Sequence, residues 1–180
     1  MTKEIRIKIR SRQYELSKGL MNRLFEELDM VDDEEFNEEN VMESGDELEM
    51  TVDGYLSDDG EKVEITYEES ELTGMEGAST KVYFEKSNPQ LLTMLRGGSV
   101  TTAMVFEAGQ RHICIYETPI MPFELCIYTR KIKNELLNEG SLSLDYIVEF
   151  KGAQAERTVF ELTIEEKTVQ TMPLDEYDAV

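Results

Sequence analysis

Leu48-Glu49-Met50-Thr51-Val52-Asp53, then Ser57-Asp58-Asp59-Gly60, then Lys62-Val63-Glu64-Ile65-Thr66-Tyr67-Glu68 is the stretch that decides the fold. Apolar and polar residues alternate strictly on both sides of the central segment. Period-2 alternation puts apolar side chains on one face of a strand and polar ones on the other. The Asp-Asp-Gly segment between the two runs carries the chemistry of a tight reversal, so the pair reads as a β-hairpin.

The same pattern recurs outward in both directions. Ile5, Ile7 and Ile9 alternate with Glu4, Arg6, Lys8 and Arg10. Val82 and Phe84 follow, then a mostly apolar run from Leu91 to Leu95. Next come Thr102, Met104 and Phe106, then Ile113 and Ile115, then Leu125 and Ile127. Leu142, Leu144, Tyr146, Val148 and Phe150 come later, and Phe160, Leu162 and Ile164 close the series. Gly97-Gly98-Ser99, Ala108-Gly109-Gln110, Asn138-Glu139-Gly140 and Gly152-Ala153-Gln154 mark reversals. Short linkers pair successive strands as antiparallel neighbours. Roughly ten short strands spaced in this way predict an all-β barrel or sandwich with one buried and one wet face.

Residues 15–47 break the pattern. Leu20, Met21, Leu24, Phe25 and Leu28 have helical spacing and predict a short amphipathic helix. Asp32-Asp33-Glu34-Glu35 and Glu38-Glu39 then form an acidic run. The reading is an inserted excursion between the first two strands, within one barrel domain spanning 1–167. The tail 168–180 has little pattern and reads as loose.

Charge narrows the function classes. The 180 residues carry a formal net charge of −21. Phosphate backbones and anionic membrane surfaces repel such a chain, so neither nucleic acid nor membrane is an expected partner. The charge is uneven: residues 1–14 hold five basic side chains and one acidic, whereas 15–49 hold fourteen acidic and two basic. No run approaches the roughly 18 apolar residues of a membrane span, and the N-terminus lacks the apolar core of a secretion signal. Cytoplasm is the expected location, and two cysteines fit a reducing compartment.

No phosphate-binding glycine loop, Cys-x-x-Cys, His-Glu-x-x-His or Gly-x-Ser-x-Gly occurs. The single histidine, His112, excludes any site that needs two and reads as a plain strand residue. A hairpin turning at Pro119-Ile120-Met121 sets Ile115 against Leu125, Ile113 against Ile127 and Cys114 against Cys126. Nothing basic flanks both thiols to lower their pKa, so they read as free structural cysteines rather than a redox pair. The acidic stretch 29–49 lacks the spaced Asp/Asn-Gly loop of calcium sites and reads as a solvated charge run. The expectation is a protein without metal or cofactor, and not an enzyme.

Parity then selects a constellation. Glu69 continues the face of Val63, Ile65 and Tyr67; Arg96 that of Leu92 and Met94; Glu117 that of Ile113 and Ile115; Thr129 that of Leu125 and Ile127. Tyr146 lies between Leu144 and Val148. If these faces point inward, the barrel holds Tyr67, Glu69, Arg96, Glu117, Thr129 and Tyr146 among its apolar residues. A buried arginine is costly unless paired, so Arg96 should meet Glu69 or Glu117. Three readings follow: the polar anchor of a ligand cavity, a structural salt bridge plugging a closed barrel, or strand ends that reach water.

In order and spacing, Ile5 to Ile9, Tyr67-Glu68-Glu69, Arg96-Gly97, Tyr116-x-Thr118-Pro119, Thr129 and Tyr146 resemble a family of small bacterial proteins of unknown function, the YwiB-like family. The likeness runs from Leu48 to about Glu166 and includes the first strand. It implies a calycin-like (lipocalin-like) antiparallel barrel of about 8–10 strands and, by analogy, a cavity; it supplies no activity. The family tends to carry an aromatic residue and then Gly after Thr-Pro, where this chain has Ile120-Met121-Pro122-Phe123, so the turn here should differ. Two functions are therefore expected in competition. One is a binding module for a small, partly apolar ligand. The other is a closed-barrel interaction protein that meets a basic partner through 15–47.

Overall fold

The computed structural model describes residues 1–16, 45–150 and 154–166. The expected helix at 20–28, most of the acidic excursion and the tail 168–180 lie outside these residues.

Ten strands are described: β1 Thr2–Leu16, β2 Asp46–Asp58, β3 Lys62–Glu68, β4 Ser79–Glu85, β5 Asn88–Gly97, β6 Thr101–Glu107, β7 Arg111–Glu117, β8 Pro122–Glu135, β9 Ser141–Phe150 and β10 Gln154–Glu166. Each pairs antiparallel with its chain neighbours, and β1 pairs with both β2 and β10, closing the sheet into a barrel. Closure leaves no free edge for another chain to extend. No helix among the described residues is long and apolar enough to cross a membrane.

The turn chemistry behaves as its residues dictate. The Asp58 carboxylate accepts the Gly60 N–H (2.9 Å), and the Asp59 carboxylate accepts those of Glu61 (3.0 Å) and Lys62 (2.7 Å). Gly60 supplies the positive φ of 101° that the reversal needs. Alternation then fills the barrel. Ile5, Ile7, Val63, Ile65, Val82, Phe84, Leu92, Met94, Phe106, Ile127, Leu142, Leu144 and Leu162 are all buried. Each large aliphatic or aromatic side chain so removed from water contributes about 1.5–3 kcal/mol.

β8 carries a bulge between Thr129 and Lys131. The extra residue lets Thr129 and Ile132 both face inward while Lys131 and Lys133 stay exposed, which unbroken alternation could not do. At Gly54 on β2, a Cβ would stand 2.5 Å from the Thr66 carbonyl oxygen and 2.6 Å from Ile7 Cδ1. Gly54→Ala is therefore expected to cost about 1–3 kcal/mol through overpacking, read as a lower urea midpoint with an unchanged m-value.

Two expectations are corrected. β1 and β2 reach into the 15–47 excursion, ending at Leu16 and beginning at Asp46. The β7–β8 register is also one residue away from the expected one. Glu117 faces Pro122, Cys114 faces Leu125 and Ile113 faces Cys126. The cause is a four-residue turn. The Thr118 hydroxyl accepts the N–H groups of Ile120 and Met121 and donates to the Met121 carbonyl. A one-residue slip moves every side chain to the other face. Ile113 is accordingly 69% exposed, Ile115 is exposed and Cys114 is buried. The thiols are thus not opposed; burial pushes both up, which keeps them protonated.

Candidate functional site

The packed core fills one end of the barrel. At the other end the inward positions turn polar and a cavity of about 580 Å³ opens. β1 shows the change along one face: Ile5, Ile7 and Ile9 lead to Ser11 and Gln13, and the last three of these five residues line the cavity. Met50 and Phe160 supply its apolar wall, the loop segment Leu72–Met75 one side, and Tyr67, Arg96 and Tyr146 its polar floor. Gly98 helps hold that loop region. At its φ of 127° a Cβ would meet the Gly77 carbonyl oxygen at 2.4 Å, so only glycine lets the two backbones approach.

The polar floor is organised by strand pairing. Tyr67 on β3 faces Thr80 on β4, and Thr80 faces Arg96 on β5. The Thr80 hydroxyl donates to Glu69 Oε1, and Arg96 Nε stands 3.6 Å from the same oxygen. The Glu69 side chain is only 1% exposed and that of Arg96 is 16% exposed. Arg96 is therefore paired with Glu69, one of its two expected partners. Burial pushes the Tyr67 phenol up, Glu69 adds to this and Arg96 opposes it. Burial likewise raises Tyr146, against the pull of Arg96. Both phenols thus remain protonated hydrogen-bond donors at neutral pH.

Four of the six sequence-selected residues, Tyr67, Glu69, Arg96 and Tyr146, converge on this cavity. Thr129 faces inward, fully buried beside Tyr146 in the sheet, but does not line the cavity; its hydroxyl has no hydrogen-bond partner among the described residues. Glu117 does not point inward: the β7–β8 slip leaves it exposed on the outer face. Sequence reasoning missed Ser11 and Gln13, although they continue the parity of Ile9, and Thr158, which continues that of Phe160 and Leu162. It missed Tyr116 because the wrong register put that residue outside; its hydroxyl lies 3.8 Å from the Met75 sulfur. His112 stands 3.5 Å from Glu107, away from the cavity. Smaller clefts of about 420 and 340 Å³ are lined by side chains that already have partners, such as Lys8, which pairs with Glu165, and Arg157, which pairs with Asp145. No group of three His, Cys, Asp or Glu side chains among the described residues is placed to hold a metal.

The mouth is acidic. Asp46 and Glu47 line it, and Glu156 lies near Asp46 and Glu15. Burial raises the Glu156 carboxyl, with Glu15 and Asp46 adding to it and the Thr158 hydroxyl opposing. A carboxyl with a raised folded-state pKa adds stability when protonated and loses it as pH rises through that pKa. Glu156→Gln is therefore expected to raise Tm at pH 7 and to leave it unchanged near pH 3.5, where the carboxyl is protonated in both states. Thermal melts across that range check it.

The family described as Domain of unknown function (DUF1934) matches residues 35–162. No curated protein matches the chain by sequence. Among solved structures, the ywiB protein from Bacillus subtilis is similar, with a TM-score of 0.56 and 14% identity, covering 89% of this chain and 92% of that one. At that identity the likeness speaks for the fold alone.

Proposed function

The chain belongs to the DUF1934 family, and for this member we propose binding of a small, partly apolar molecule in the cavity at the Arg96 end of a calycin-like barrel. The observation that carries the proposal is the half-filled barrel. One end is packed with side chains of near-zero exposure, and the other holds about 580 Å³ with a buried ion pair on its floor. Ligand pockets commonly measure about 300–1,000 Å³ and combine apolar walls with a few fixed polar groups. Binding is favoured over catalysis because the buried carboxylate, Glu69, is already engaged by Thr80 and Arg96. We place the protein in the cytoplasm, in keeping with its charge and two free cysteines.

Native mass spectrometry of protein purified from a bacterial lysate tests this. A discrete added mass that is lost on denaturation is expected; the bare chain mass from several growth conditions would count against it.

The charge distribution favours one second reading. Residues 15–49 carry a net of −12 and would attract a basic protein surface. Deleting 29–45 should then abolish capture of that partner; capture that survives the deletion contradicts the reading.

A further inference from the structure

We infer that the cavity selects a zwitterion with an apolar body, an amino acid or short peptide, whose carboxylate meets Arg96 and whose ammonium group meets the acidic mouth. This rests on the cavity being a ligand site, as proposed above.

The ion pair is turned so that its cation faces the cavity. The Glu69 side chain is almost wholly buried and its Oε1 already accepts from Thr80, whereas Arg96 keeps the larger exposure. Arg96 Nε is buried and has no hydrogen-bond partner. A guanidinium carries five N–H donors and no acceptor. The protonated phenols of Tyr67 and Tyr146 stand on the same floor. Glu69 is the one carboxylate on this floor and its Oε1 is already taken by Thr80, so the guanidinium fork is left to a ligand group; the group that best complements it is a carboxylate, which can accept two parallel hydrogen bonds.

The mouth demands the opposite charge. Asp46 and Glu47 line it, Glu15 and Glu156 stand close by, and Arg10 engages Glu47. A chain of net charge −21 also repels a ligand that is only an anion. A positive group at the mouth end removes both objections. Between the two ends, Ile9, Met50 and Phe160 offer an apolar wall.

Four probes separate the contributions in calorimetric titrations: phenylalanine, phenylalaninamide, which lacks the carboxylate, N-acetylphenylalanine, which lacks the cation, and phenethyl alcohol, which lacks both. Phenylalanine is expected to bind at least tenfold tighter than each of the others. Arg96→Met is expected to erase the preference over phenylalaninamide; should that variant not fold, Arg96→Lys, which keeps the charge and loses the bidentate fork, is expected to reduce it. Asp46→Asn is expected to narrow the preference over N-acetylphenylalanine. Equal binding of phenethyl alcohol, or a preference indifferent to Arg96, overturns the inference. If none of the four binds while the neutral dye 1-aminoanthracene does, the zwitterion falls and the ligand cavity stands. If the dye is excluded as well, both fall.

Discussion

Replacing Arg96 by Met is expected to lower the free energy of unfolding by about 3–5 kcal/mol, the cost of removing one member of a buried ion pair. The loss comes from what remains. Glu69 would be left without its cationic partner at a site where its side chain is 1% exposed, with the Thr80 hydroxyl beside it. Adding Glu69→Gln to Arg96→Met removes the unpartnered carboxyl group and should recover most of the loss. Urea unfolding of both variants checks the pair. A loss well below about 1 kcal/mol for Arg96→Met would mean that the guanidinium is effectively in water and that the floor of the cavity is not buried.

The second large effect is expected at Phe106. This side chain is fully buried, and its ring meets Tyr146 edge-on at a centroid distance of 4.9 Å and an interplanar angle of 62°. It therefore belongs to the packed core and also supports one of the phenols on the cavity floor. Phe106→Ala should cost about 3–5 kcal/mol, the range for truncating a buried aromatic residue. It should also enlarge the cavity toward the core, so 1-aminoanthracene is expected to bind more tightly to the folded variant than to the parent. Unchanged dye binding would show that Tyr146 keeps its position without this support.

The fold was legible because alternation is a strong signal wherever the barrel is packed. Ile5, Ile7 and Ile9, or Val63, Ile65 and Tyr67, state their inward face outright. Legibility faded where the interior stops being apolar. Ser11, Gln13 and Thr158 also face inward, but a polar residue at an inward position looks the same in sequence as a strand that has ended. The stretch of β1 beyond the Ile5–Ile9 run, out to Leu16, therefore left no mark in the alternation. Arg96 and Glu69 could still be paired, because each directly extends an apolar run.

Glu117 failed for a different reason. On β7, Ile113 and Ile115 carry the apolar parity, yet they lie on the outer face and Cys114 lies inside. Register there is set by the Thr118 turn, which adds one residue to the assumed reversal. Hydroxyl bonding across a four-residue turn leaves no periodic trace. The β8 bulge is equally silent in periodicity. Yet without it Lys131 and Lys133 would share the inward face of Thr129, and their charge is what makes the bulge intelligible.

The barrel is open at the Arg96 end, where a ligand would enter, and packed shut at the other. Amide chemical-shift mapping during titration with 1-aminoanthracene tests it most directly. Shifts are expected to concentrate at Ser11, Gln13, Met50, Arg96, Tyr146 and Phe160, with Val63, Phe84 and Leu142 unmoved. Shifts clustered at those last three residues, or none at any residue lining the cavity, would contradict it.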